Sequence, residues 1–208
     1  MPRFDLRLAG VAQIATAIAK AGEAAHISAE STVRRQWTVA RLEALYELAY
    51  LRVFAAWESC LEAIFLRSLC GYASRGGQET LKTGGYFPSL AAAEAAAMGP
   101  GRTYLLWHNP VRVINRCQQF IRAGREEITI NSNLARLQDF ADARHRVVHD
   151  HTDAKRKFDV AALNLVGRTY PASRPGRLLR DWDRSAPVTR RWLETVALEL
   201  TNLAGQMT

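Results

Sequence analysis

Three of the chain's five histidines fall within seven residues, interleaved with arginines in the run Arg144-His145-Arg146-Val147-Val148-His149-Asp150-His151. Imidazole exchanges a proton near neutral pH, so it can take one from a hydroxyl and return it. A guanidinium fork matches two phosphate oxygens and stabilises negative charge as it builds. Together these groups suit attack of an RNA 2′-hydroxyl on its neighbouring phosphate. A base removes the hydroxyl proton, and cationic donors surround the transition state. This chemistry calls for no metal and no cofactor.

Arg144 and His149 are the expected catalytic pair. On a helical wheel Arg144 falls in the middle of the face formed by Leu134, Leu137, Ala141 and Val148. A charge buried there must be paired, or must meet a partner or an anion. Arg146 and His151 form an overlapping pair of the same spacing, but Arg146 lies off that face, and Val147-Val148 directly precede His149. Five residues of ideal helix turn through about 140°. The helix must therefore loosen near Val148, or two copies must converge across a dimer. The plain alternative for Arg144 is a structural ion pair with Glu47 or Glu58 of the long early helix. His145 and His149 stand four apart, a spacing used for zinc. No Glu follows His145 in the zincin pattern, and no third ligand is obvious beyond Asp150, Asp153 or His151, so a metal site is not expected. Lys155-Arg156-Lys157 reads as a phosphate-contact cluster, or otherwise as a solvated turn.

The run from Arg144 to His149 resembles the R-x-x-x-x-H motif of the HEPN superfamily. There the residue after the Arg is usually polar, often Asn, Asp or His, and an aliphatic pair commonly precedes the final His. Leu48-Ala49-Tyr50-Leu51-Arg52-Val53-Phe54-Ala55-Ala56-Trp57-Glu58 is similar to the long early helix of bacterial HEPN families, with its aromatic-acid pair. The resemblance covers Leu42 to Gly71 and Leu134 to Asp150. It implies a helical bundle that dimerises, two Arg–His pairs meeting in a cleft between subunits, and RNA cleavage leaving a 2′,3′-cyclic phosphate. It also implies a role as a toxin or in antiviral defence, with an antitoxin or defence-system protein as a further partner. Supporting roles fall to His145, Glu58 and His151, and RNA contacts to Arg146, Lys155, Arg156 and Lys157. HEPN toxins modified by a partner nucleotidyltransferase carry Tyr two residues after the motif His. His151 stands there in this chain, which puts that mode of neutralisation in doubt. The alternatives are a non-catalytic HEPN-like RNA- or nucleotide-binding module and a helical protein-interaction module.

The elements that must position these residues are helical almost throughout. The expected fold is all-α: an antiparallel bundle with one long central helix, a Gly-rich insert loop and extra peripheral helices. One domain is expected over 1–208, its core at about 28–72 and 103–206 and the insert at 71–102. A first helix is expected over Leu6 to Ala24. A second starts near Ser28 and runs to about Leu69 with at most one break. Its stripe is Leu42, Tyr46, Ala49, Val53, Trp57, Cys60 and Ile64, with Leu48, Leu51, Phe54, Leu61 and Phe65 apolar off it. Such a helix is central in a bundle or shared with another subunit. A short Ala-rich helix follows Ser89 and ends at Gly99-Pro100-Gly101. Further helices are expected from Pro110 to Gly124, from Asn131-Ser132-Asn133 onward, over Val160 to Val166, and from Ser185-Ala186-Pro187. Tyr170 to Arg177 reads as a loop, and Ile128-Thr129-Ile130 alone looks strand-like.

Charge is concentrated near the histidines. The chain carries +8, and Arg144 to Arg191 holds twelve Lys/Arg against five Asp/Glu. Such a footprint suits a polyanion. Cys60, Cys70 and Cys117 are too few and too scattered for a disulfide framework and suit a reducing cytoplasmic setting. No secretory signal or membrane span is expected: the most apolar stretch, Leu45 to Leu69, is broken by five charged residues.

Overall fold

Apolar residues recurring every three to four positions commit most of this chain to helix. The computed structural model describes residues 1–99 and 105–208. Pro100 and Gly101 of the expected turn, and residues 102 and 103 at the expected insert and core boundaries, lie outside the described residues. The chain is all-α. Its helices are α1 (Phe4–His26), α2 (Ser31–Gln36), α3 (Val39–Leu69), α4 (Leu90–Met98), α5 (Pro110–Phe120), α6 (Arg125–Ser132), α7 (Leu134–Val148), α8 (Thr152–Val166), α9 (Pro175–Arg180) and α10 (Trp192–Met207). A two-stranded antiparallel hairpin, β1 (Trp182–Asp183) and β2 (Arg190–Arg191), precedes α10.

The chain divides into two compact units. The first comprises Met1–Leu8, Trp57–Gln138 and Thr201–Thr208. Its core gathers Trp57, Leu61, Ile64 and Phe65 of α3 with Trp107, Cys117 and Phe120. Phe65 packs at 5.5 Å from Trp107 and 6.0 Å from Phe120, ring to ring. The glycine-rich segment belongs to this unit and is pinned along its length. Lys82 N–H donates to Phe120 O at 2.8 Å and Arg122 N–H to Thr80 O at 2.8 Å, while Arg75 N–H reaches Thr208 O at 3.0 Å.

The second unit comprises Ala9–Ala56 and Asp139–Leu200. Leu42, Tyr46, Tyr50, Val53 and Phe54 of α3 are buried in it, as are Phe140, Phe158, Leu178, Leu179 and Leu193. The short helix α9 lies directly on the α3 backbone: a Cβ added at Gly176 would sit 2.3 Å from Glu43 O. Gly176 N–H donates to Glu47 Oε1 at 2.9 Å, and Arg174 pairs with Glu43 at 3.3 Å.

The seven-residue α3 stripe is buried in full, together with Phe54, Leu61 and Phe65. Of the other two, Leu51 is half-buried and Leu48 is 65% exposed. Four local expectations are corrected. Ile128-Thr129-Ile130 lies inside α6, where Gly124 opens a helix carrying Glu126 and Glu127 in its favourable first turn. Helix α8 begins at Thr152, eight residues before the expected Val160, because His151 caps it. The expected loop Tyr170 to Arg177 contains the start of α9. The last helix begins at Trp192, since the residues from Ser185 form the hairpin turn and Glu194 Oε2 reaches back to Arg191 N–H at 3.1 Å. No helix among the described residues is long and apolar enough to cross a membrane.

Candidate functional site

Leu137, Phe140 and Ala141 bury one face of α7. Arg144 continues that i, i+3, i+4, i+7 series and is half-buried. Val148 does not share the face as expected: it is 48% exposed, because the last turn of α7 runs out beyond the packed surface. The Arg144 cation is felt by Tyr50, whose fully buried hydroxyl donates to Phe140 O at 2.5 Å. Burial pushes that phenol well above its ordinary pKa, against the opposing effect of Arg144.

The helix ends at Val148, and His149 is the first residue past it, its N–H still bonded to His145 O at 2.9 Å. Asp150 follows, and His151 then caps α8, with Nδ1 accepting from Ala154 N–H at 3.2 Å. This sharp α7–α8 corner gathers all three imidazoles. Ring centroids are 4.5 Å apart for His145 and His149, 5.3 Å for His145 and His151, and 5.7 Å for His149 and His151. His149 and His151 are exposed. The pKa of His145 is lowered by desolvation first, then by His149, Lys157 and His151, with Asp142 opposing. His145 is thereby favoured as a neutral ring. Among the described residues no group of three or more His, Cys, Asp or Glu side chains is placed to hold a metal ion.

Arg146 is the structural anchor of the corner. Its side chain is 13% exposed. Nε donates to Ser173 O at 3.0 Å, one terminal nitrogen donates to His149 O at 3.2 Å, and the other pairs with Asp150 at 3.2 Å. The bond to His149 O satisfies a carbonyl that the end of α7 leaves open. Ser173 sits in a strained turn: Ala172 and Ser173 both have positive φ, 58° and 47°. Such backbone persists where surrounding contacts over-determine it. Here the Ser173 hydroxyl donates to Asp159 Oδ2 at 3.0 Å and its N–H to Tyr170 O at 2.9 Å.

The cationic cluster on the first turns of α8 is internally paired. Lys155 meets Asp150 at 3.0 Å, while Arg156 and Lys157 meet Asp153 at 2.7 and 2.8 Å. Those two cations hold the Asp153 carboxyl down to about 2. Glu47, one of the acids considered for Arg144, accepts from Gly176 N–H and feels the Arg146 cation. Glu58 is half-buried on α3 and belongs to the first unit, whereas Arg144 and the histidines belong to the second.

Sequence reasoning missed the roles of Ser173 and His151 as positioning groups. Nothing in their types signals them: a serine carbonyl is mute in sequence, and His is not among the favoured cap residues. All three cysteines are free thiols. Burial pushes Cys60 up to about 12 and Cys117 well above the ordinary range, so neither is an activated nucleophile. The chain matches no protein-family model, no curated protein and no solved structure.

Proposed function

We propose that this chain is a cytoplasmic, metal-independent endoribonuclease of the HEPN type, acting as a toxin or antiviral defence effector. His149 removes the 2′-hydroxyl proton, and Arg144 stabilises charge on the phosphate. A homodimer completes the site by joining two such pairs. One observation carries the reading: three imidazoles meet at an exposed helix corner, next in sequence to Arg144 and beside the cations of α8. One further fact favours His149 over His151 as the base: His151 spends Nδ1 on the α8 cap. His145, its pKa lowered and its ring 4.5 Å from that of His149, supports the base. Apolar surface suited to a dimer contact is present in the second unit, where Ile14, Ile18 and Leu48 line an open groove of about 250 Å³.

The test is incubation of purified protein with single-stranded RNA in EDTA. Wild type is expected to leave 2′,3′-cyclic phosphate ends. Arg144→Ala and His149→Ala should each lose about a hundredfold or more in rate while keeping the helical circular dichroism of wild type. Loss confined to Arg146→Ala or His151→Ala would move the assignment to that pair. RNA binding without cleavage would replace catalysis with the binding-module reading, and absence of both would end the proposal.

A further inference from the structure

A separate concavity of about 350 Å³ lies in the second unit, between the end of α8 and the β1–β2 hairpin. Its volume suits one small ligand. Arg144 and the three histidines do not line it. Leu165 and the buried Trp192 contribute apolar lining, and Trp182, Arg168, Arg184 and Asp181 contribute the recognisable chemistry.

Trp182 is the unusual member. It is 45% exposed, yet it is held in place. The hairpin register sets it directly opposite Arg191, whose guanidinium carbon lies 3.8 Å from the ring centroid. Arg191 is itself fixed, donating to Arg180 O at 2.6 Å. One face of the indole is therefore taken by a cation, and its remaining surface is pre-ordered and wet. An aromatic plane of this kind is a stacking platform for a nucleobase.

The charged groups divide between used and available. Asp183 accepts from Ser185 and Thr195 and is spent. Asp181 Oδ2 accepts from Arg168 and from the Tyr170 hydroxyl. Among the described residues Asp181 Oδ1 accepts only from Trp182 N–H, at 2.9 Å, which leaves it a lone pair. Arg184 is exposed and makes no ion pair among the described residues.

We propose that this pocket binds one nucleotide unit. Its base stacks on Trp182, its phosphate meets Arg184, and an exocyclic amino group donates to Asp181 Oδ1. The unit is either a free nucleotide or an unpaired residue of a single-stranded RNA. Only the second source rests on the ribonuclease reading.

The experiment titrates the full chain with AMP, with UMP and with a hexamer of 2′-O-methyladenosine, whose blocked 2′ oxygen prevents cleavage. Binding is read by tryptophan fluorescence and calorimetry. AMP should bind, and Trp182→Leu should weaken it about tenfold or more. Arg184→Gln, on the surface and harmless to folding, should weaken it and flatten its salt dependence. A hexamer that binds at least tenfold more tightly than AMP identifies RNA as the source, and equal affinity identifies the free nucleotide. UMP binding as tightly as AMP would remove the role of Asp181. Failure of both AMP and hexamer to bind, or binding indifferent to both substitutions, would overturn the proposal. Persistent RNA cleavage alongside that failure would leave the ribonuclease standing. AMP binding without any cleavage would leave the pocket standing and the ribonuclease not.

Discussion

Glu126 is 2% exposed in the first unit, where Oε1 accepts from the Ser68 hydroxyl at 2.7 Å. Desolvation raises its pKa above 4.5, with the Ser68 bond opposing. The folded chain thus binds this proton more tightly than the unfolded chain does. The stabilising contribution is complete below 4.5 and is lost as pH rises through the raised folded value. Glu126→Gln keeps the shape and an acceptor for Ser68 but removes the buried charge. It should stabilise the protein at pH 8 and flatten the pH dependence of thermal melting. A variant less stable than wild type at pH 8 would show that the charge is needed. Arg146 should behave oppositely. Arg146→Ala removes its bonds to Ser173 O and His149 O and should cost about 1–3 kcal/mol in urea denaturation. Arg144→Ala should impair cleavage first. Periodicity placed Arg144 in line with the buried Leu137 and Ala141, but it placed Val148 there too, and that residue is exposed. It could not separate the role of Arg146, which is fixed by a carbonyl 27 residues away.

At the scale of elements, α9 is held by closeness rather than by length. Its six residues cannot form a stable helix alone. Gly176 lets the α9 backbone touch that of α3, and any Cβ there would strike Glu43 O, an atom that cannot swing aside. Gly176→Ala is expected to cost about 1–3 kcal/mol or more in chemical denaturation. A neutral result would mean that α9 is free to lift. Short elements were also the least legible. The hairpin has two residues per strand, too few to display an alternation. Ile128-Thr129-Ile130 alternates, but three residues do not define a period, and the signal for α6 lay instead in Gly124, Glu126 and Glu127. Long elements were legible because a 31-residue helix repeats its buried stripe many times over.

Across the whole molecule, the excess of positive charge was plain from composition, but its availability was not. Asp153 already holds Arg156 and Lys157 in ion pairs, so an incoming phosphate must compete for them. RNA affinity should fall linearly in log–log plots against salt. Asp153→Asn should raise low-salt affinity severalfold and steepen that slope, as measured by fluorescence anisotropy. An unchanged slope would place the phosphate contacts elsewhere.

His151 serves as a cap through the lone pair of Nδ1, which holds Ala154 N–H. The same ring stands within 6 Å of His145 and His149. The first turn of α8 is therefore fastened by a member of the imidazole cluster itself, and whatever turns that ring unfastens the helix. His151→Ala should quicken amide hydrogen exchange at Ala154 before the rest of α8 responds. His151→Asp, which keeps an acceptor at the cap, should not.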